Sequence, residues 1–191
     1  MASVAEFNDK GSRFFAFAFP INSTEDFKKN LHQLKTEHPK AVHHCFAYRI
    51  GNDKNNFRSS DDGEPSGTAG KPILNQIDSK NLTNILVVVV RYFGGILLGV
   101  PGLINAYKTA TVLALNKVEI VAKSIEKEIL LECDYTQLGE VMNIAKANSI
   151  NIVSKKIELF CEIIISIPIE KMEIIFAKFN HIKGLKLEIK I

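Results

Sequence analysis

The chain has 191 residues, of which 46% are hydrophobic and 24% are charged, and its formal net charge at pH 7 is +3. These values are typical of a soluble globular protein with one domain or two small ones, and the charge is too small to demand a nucleic-acid partner. The longest apolar run, residues 85–90, is far shorter than the ~20 residues that span a bilayer. Three widely separated cysteines indicate a reducing compartment. We therefore expect a cytoplasmic protein with no membrane partner.

The first part of the chain alternates between predicted strands and helices. Runs of apolar residues, apolar–polar alternation, helix-capping residues and residues that end helices or strands define these elements. In chain order they are a strand at 14–21, a helix capped by Ser23 or Thr24, a strand at 42–50, a polar hairpin or loop at 51–58, a short helix from Lys71, a strand at 85–93 and a helix at 101–118. The run of four valines at 87–90 indicates that its strand is buried on both faces.

The last part of the chain has a simpler pattern. It predicts a strand at 125–135, a helix at 136–148, strands at 150–159 and 161–167, a helix at 168–180 and a strand at 185–191. The order βαββαβ is that of a ferredoxin-like unit. We therefore predict two domains, residues 1–122 and 123–191.

A polar loop at residues 59–72 is the most unusual stretch of the chain. It holds three carboxylates, three glycines and two prolines, and it has no large apolar side chain that could fill a core. Its spacing matches neither a P-loop nor the Gly-x-Ser-x-Gly turn of serine hydrolases. We interpret it as a ligand-binding surface that comprises Ser60, Asp61, Asp62, Gly63, Glu64, Ser66, Gly67, Thr68 and Gly70.

A second glycine-rich turn follows the valine strand. Arg91 and Tyr92 end the strand, and Gly94, Gly95 and Gly99 follow them. A charge at the end of a doubly buried strand must be paired or must reach a polar cleft. Arg91 therefore either contacts a ligand phosphate or pairs with an acidic residue of the loop. The glycines either present N–H groups to an anion or only make a tight turn.

Two groups of residues are candidate metal ligands. The acidic residues of the loop could bind a cation or basic groups, although their spacing matches no EF-hand, and the alternative is a solvated acidic turn. His43 and Cys45 share a strand face, but zinc would need two further ligands. We predict no stoichiometric zinc and no cofactor. We include His43 among the ligand-binding residues.

Two stretches, residues 60–74 and 90–107, closely resemble the Impact / YigZ family. The first has the sequence Ser-Asp-Asp-Gly-Glu-Pro-Ser-Gly-Thr-Ala-Gly-Lys-Pro-Ile-Leu, and the second contains Arg-Tyr-Phe-Gly-Gly and Gly-Leu-x-x-Ala-Tyr. His43 and Cys45 match the strand that precedes these motifs in the family. The resemblance extends over about residues 12–118.

The resemblance implies an α+β architecture. The first domain would be a two-layer α/β domain similar to the second domain of a small-subunit ribosomal protein. The second would be a ferredoxin-like domain similar to the last domain of the translocation factor EF-G. Eukaryotic Impact proteins regulate translation by competing for the activator of a starvation-sensing kinase, whereas bacterial members have no settled activity.

The chain departs from the family pattern beside the glycine turn. Leu97 stands where the family has lysine, and Asn105 stands where it has arginine. Two phosphate contacts are thereby lost, so the resemblance implies an anion site that is weakened or absent in this chain.

These observations favour a translation-linked binding or regulatory protein. The expected partners are RNA, the ribosome, or a translation factor or other regulatory protein. Arg91 would be the main phosphate contact. The alternative is an enzyme, hydrolase or peptidase-like, that acts on a small phosphorylated or peptide substrate with Asp61 or Asp62 as a base or metal ligand beside His43. The sequence holds no complete catalytic set, so we favour the binding protein.

Overall fold

The computed structural model describes residues 3–52 and 55–190. The chain forms two compact units, Met1–Ile120 and Val121–Ile191. Within the described ranges, no helix is long and apolar enough to cross a membrane.

The first unit is built on a five-stranded sheet. Its strands are β1 (Ser3–Asp9), β2 (Ser12–Pro20), β3 (His43–Ile50), β4 (Asn56–Ser60) and β5 (Ile85–Tyr92). Their order in the sheet is β1-β2-β5-β3-β4, and all neighbours are antiparallel. The sequence analysis missed β1. It assigned 51–58 to a polar hairpin or loop, whereas β4 begins within that range and leads directly into the polar loop.

Three helices cover this sheet: α1 (Thr24–Glu37), α2 (Gly70–Ser79) and α3 (Gly99–Leu115). Helices α2 and α3 pack with Cys45, Val87 and Val89 on one face. Helix α1 packs with Val88 and Val90 on the other face. The unit therefore has three layers, and the expected two-layer arrangement is wrong in this respect. The physical reason is that β5, with Val87 to Val90 all at 0% exposure, requires apolar cover on both sides.

The second unit has a four-stranded antiparallel sheet. Its elements, in order, are β6 (Glu126–Asp134), α4 (Leu138–Ala147), β7 (Asn151–Ile157), β8 (Phe160–Pro168), α5 (Met172–Phe179) and β9 (Lys186–Ile189), with short 3-10 helices at Tyr135–Gln137 and Ile169–Lys171. The strand order is β7-β8-β6-β9. Val141 of α4 and Phe179 of α5 belong to one core with Ile129 and Ile163 of the sheet. Both helices therefore cover the same sheet face.

Candidate functional site

Asp61 organises the polar loop from within. Its Oδ1 accepts hydrogen bonds from the N–H groups of Ala69 at 2.9 Å and Gly70 at 2.8 Å, and its Oδ2 accepts one from Gly67 at 2.9 Å. Burial by itself would raise the pKa of Asp61, but the three backbone donors together lower the pKa below its usual value. The start of α2 therefore presents N–H donors. The protein's own carboxylate accepts their hydrogen bonds.

Asp62 attaches the loop to strand β3. Its backbone has a positive φ of 42°, and its Oδ2 accepts a hydrogen bond from the His44 N–H at 2.7 Å. The carbonyl oxygen of Asp62 lies 2.8 Å from Nδ1 of His43. A carbonyl can only accept, so Nδ1 of His43 donates in this bond. Lys35 of α1 lies 3.6 Å from the other Asp62 oxygen.

Glu64 forms a buried contact with Arg91. Its Oε1 accepts a hydrogen bond from Arg91 Nη1 at 2.5 Å and another from the Tyr107 hydroxyl at 2.8 Å. The Glu64 and Arg91 side chains are 3% and 6% exposed. Arg91 Nη2 also donates to Ser12 Oγ at 3.4 Å. This is the alternative in which Arg91 pairs with an acidic residue of the loop.

Cys45 and Tyr107 extend this buried polar cluster. The Cys45 sulfur lies 3.0 Å from the Asp61 carbonyl oxygen and 3.3 Å from the Tyr107 hydroxyl. Burial raises the pKa of both the Cys45 thiol and the Tyr107 phenol, so both stay protonated at neutral pH. A protonated buried thiol is a poor nucleophile and a poor metal ligand.

The glycine turn packs against the β1–β2 hairpin. A Cβ on Gly94 would lie 1.9 Å from the carbonyl carbon of Gly11, so this close approach requires glycine. The Gly94 N–H donates to Ser12 Oγ at 3.2 Å. Gly95 has a φ of 86° and open space around it, and Gly99 has a φ of 70° and begins α3. In the structure, Gly94 therefore allows the turn to pack closely against the backbone of the hairpin.

The three carboxylates of the loop have different partners. Asp61 contacts the start of α2, Asp62 contacts β3, and Glu64 contacts Arg91. Among the residues that the structure describes, no group of three or more His, Cys, Asp or Glu side chains is arranged to hold a metal ion.

Most of the predicted site residues come together, but Tyr92 does not join them. Arg91 lies among the residues that face α2 and α3, whereas the ring of Tyr92 packs edge-on against Phe15 on the α1 face.

Thr68 is buried, and its hydroxyl donates to the Pro65 carbonyl at 2.6 Å. Beyond β4, the exposed residues of the loop are Gly63, Pro65, Ser66 and, at the first turn of α2, Lys71. We call these four residues the crest.

The sequence analysis missed Tyr107, Ser12 and His44 as part of this region. Tyr107 lies at the helical spacing of the apolar residues of α3. The sequence pattern therefore classes it as a core residue and gives no sign that its hydroxyl forms a hydrogen bond. Its side chain is fully buried and still bonds Glu64. A buried tyrosine hydroxyl usually finds a partner, and this rule is the signal that could have identified it.

Comparisons with known proteins agree with the motifs. Residues 10–115 match the model of the Impact N-terminal domain. An IMPACT family member of Haemophilus influenzae is 35% identical over 100% of this chain and 93% of its own length. The IMPACT family member YigZ of Escherichia coli is 36% identical over 88% of this chain and 84% of its own length.

A solved structure shares the fold. The crystal structure of a hypothetical protein is 33% identical in sequence, covers 100% of this chain and 94% of its own, and superposes with a TM-score of 0.70. The matched family model, the identities over nearly whole chains and this shared fold lead to one conclusion: the chain belongs to the IMPACT family.

Proposed function

We propose that this chain is a translation-linked regulatory protein that binds the ribosome through the crest. The observation that carries the proposal is the preorganisation of the loop. The side chains of Asp61, Asp62 and Glu64 accept hydrogen bonds that fix the conformation of the loop. Ser66 and Lys71 remain exposed. A surface that is ordered before binding loses little conformational entropy on binding.

Family membership supports the link to translation. The resemblance to eukaryotic Impact proteins, which regulate translation, motivates this link, and residues 60–74 carry an unbroken stretch of that resemblance. Arg91 has a supporting role in this proposal: its guanidinium lies behind the loop and bonds Glu64. This assignment replaces the role of phosphate contact that the sequence suggested for Arg91.

The geometry favours the binding protein over the enzyme. Backbone N–H groups bond both carboxylate oxygens of Asp61 and lower its pKa, which makes Asp61 a weak general base. Asp62 is likewise bonded to the His44 N–H. His43 Nε2 lies 3.8 Å from Glu64 Oε1, and no nucleophile that the structure describes is bonded to it.

Co-sedimentation with purified ribosomes tests the proposal. We expect the variant Ser66→Trp/Lys71→Glu to weaken the association at least ~10-fold, about 1.4 kcal/mol, without a change in melting temperature. The matched control Thr36→Trp/Lys29→Glu changes two exposed residues of α1 in the same way and should bind as the wild type does. If the wild type does not sediment with ribosomes, or if both variants bind equally, the proposed partner or surface is wrong. Binding to free ribosomal RNA alone would also overturn it.

We also propose that the two units are separate domains, residues 1–122 and 123–191. The element order of the second unit and its strand order β7-β8-β6-β9 support the ferredoxin-like description. The likeness of the first unit to a ribosomal-protein domain stays a proposal that rests on the family resemblance.

A further inference from the structure

The sheet of the second unit has one face that its helices do not cover. On β6, the side chains of this face are those of Glu126, Glu128, Leu130, Glu132 and Asp134, which alternate with the buried Ile129, Leu131 and Cys133. On the neighbouring strand β8, the residues opposite them include Glu162 and Ile164. We call this surface the helix-free face.

The centre of the helix-free face is apolar. Leu130 pairs directly with Ile164 in the antiparallel register of β6 and β8, and both are half-buried. Directly opposed residues on one face of a sheet have Cβ atoms about 4.5–5.5 Å apart. The two side chains therefore form one apolar patch with exposed atoms.

On the two central strands the charged residues beside this patch are acidic, and two of them face each other. The outer strands place Lys186 and Lys156 on the same face, opposite Glu132 and Glu162. Glu132 is directly opposite Glu162 in the register. Like charges in this position destabilise a sheet. Glu132 has Lys186 at 3.9 Å, whereas Lys156, which pairs with Glu162 in the register, lies 3.4 Å from Glu158 instead. In the described part of the chain, neither Glu128 nor Glu162 has a cationic side-chain nitrogen within 4.0 Å.

We infer that the helix-free face docks a cationic, extended segment of another protein, with basic side chains that flank an apolar one. The negative potential of the two central strands complements such a segment and repels the phosphates of nucleic acid. Glu128, Leu130 and Glu132 are spaced two residues apart on one strand, or about 6.8 Å. An extended segment of the form Lys-x-Leu-x-Lys has the same spacing. This inference goes beyond the proposed function, because it concerns the other unit and a different surface.

Fluorescence anisotropy with the full chain tests the inference. The probe is a short fluorescein-labelled peptide in which Lys, Leu and Lys alternate with Ser, and the buffer contains about 150 mM salt so that non-specific attraction is screened. We expect Glu128→Gln/Glu162→Gln to weaken binding at least ~10-fold. The matched control Glu140→Gln/Glu173→Gln removes the same charge from exposed positions on α4 and α5, and it should bind as the wild type does.

Three further measurements separate this inference from its alternatives. Ile164→Thr should weaken binding of this peptide but not of one with Ser in place of Leu. The melting temperature of Glu162→Gln should stay equal or rise, because the substitution relieves a like-charge contact. A large fall would make the glutamates structural and would overturn the inference. Equal binding by the Glu128/Glu162 variant and its control would also overturn it, as would binding of single-stranded RNA at this face.

Discussion

Glu64 Oε1 lies 2.5 Å from Arg91 Nη1, and neither side chain is more than 6% exposed. The contact joins the polar loop to the end of the most buried strand of the first unit. Tyr107 of α3 donates to the same carboxylate oxygen. One carboxylate therefore ties the loop, the sheet and a helix together.

The stability of the first unit should depend strongly on this pair. Arg91→Met leaves the Glu64 carboxylate buried without its cation, and we expect it to lower the free energy of unfolding by ~3–5 kcal/mol. Urea denaturation measures the loss. Adding Glu64→Gln to Arg91→Met should restore part of it, because the uncompensated charge is then removed. Strictly additive losses would show that the two residues are not coupled.

The two glycines of the turn after β5 should respond very differently to alanine. A Cβ on Gly94 would lie 1.9 Å from a backbone carbon of Gly11, whereas nothing lies within 4 Å of a Cβ on Gly95. Gly95→Ala should therefore cost only the ~1–2 kcal/mol of a non-glycine residue at positive φ. Gly94→Ala must displace the hairpin backbone and should cost clearly more. Thermal melts of the two variants test this, and equal losses would contradict the close packing.

Acidification should destabilise the first unit through His44. His44 is 7% exposed, and among the residues that the structure describes none forms a hydrogen bond with its Nε2. Burial lowers the pKa of His44, and the charges of Lys35 and His38 lower it further, whereas the charge of Asp62 raises it. Below about pH 6.5 the unfolded chain binds a proton that the folded chain resists, so stability falls as the pH decreases through that value toward the lower folded pKa.

The variant His44→Gln should show a smaller stability difference between about pH 7.5 and pH 5.5 than the wild type does. His181→Gln, at an exposed position, is the matched control and should keep the wild-type pH dependence. Urea unfolding at the two pH values gives the comparison. An unchanged difference in His44→Gln would assign the pH dependence to other groups.

Limited proteolysis should separate the proposed domains. Residues 119–125 are exposed and have no regular secondary structure, and they include Lys123. Brief trypsin treatment should therefore yield a stable fragment that begins near residue 124, identified by mass spectrometry. Early cleavage within α3 or β6 would contradict the boundary.

The sequence predicted those features that depend on one local pattern. The valine run identified a doubly buried strand, and the loop at 59–72 was recognised from its lack of apolar side chains. The sequence could not show on which face of the sheet α1 lies, because an amphipathic stripe indicates only that one side of the helix packs against the rest of the protein. Strand β4 was missed because Asn56–Ser60 is polar except for Phe57, and four of its five residues are exposed.

The details of the site depended on contacts between distant residues. Arg91 and Tyr92 are neighbours in sequence, and adjacent residues of a strand point to opposite faces. This rule could have removed Tyr92 from the predicted site at the outset. The choice of Glu64 as the partner of Arg91 had no local signal, since Asp61 and Asp62 are equally close in sequence and are engaged elsewhere.

The hydrogen bonds of Asp61 bear on how this loop could change in evolution. Three N–H groups converge on its carboxylate at the start of α2, in the arrangement by which other proteins bind phosphate. The chain thus carries its own permanent anion in that position. Replacement of Asp61 by glycine would remove the resident charge together with the three hydrogen bonds that order the loop. A phosphate bound in the same position would then have to supply both the negative charge and the acceptors for these three N–H groups.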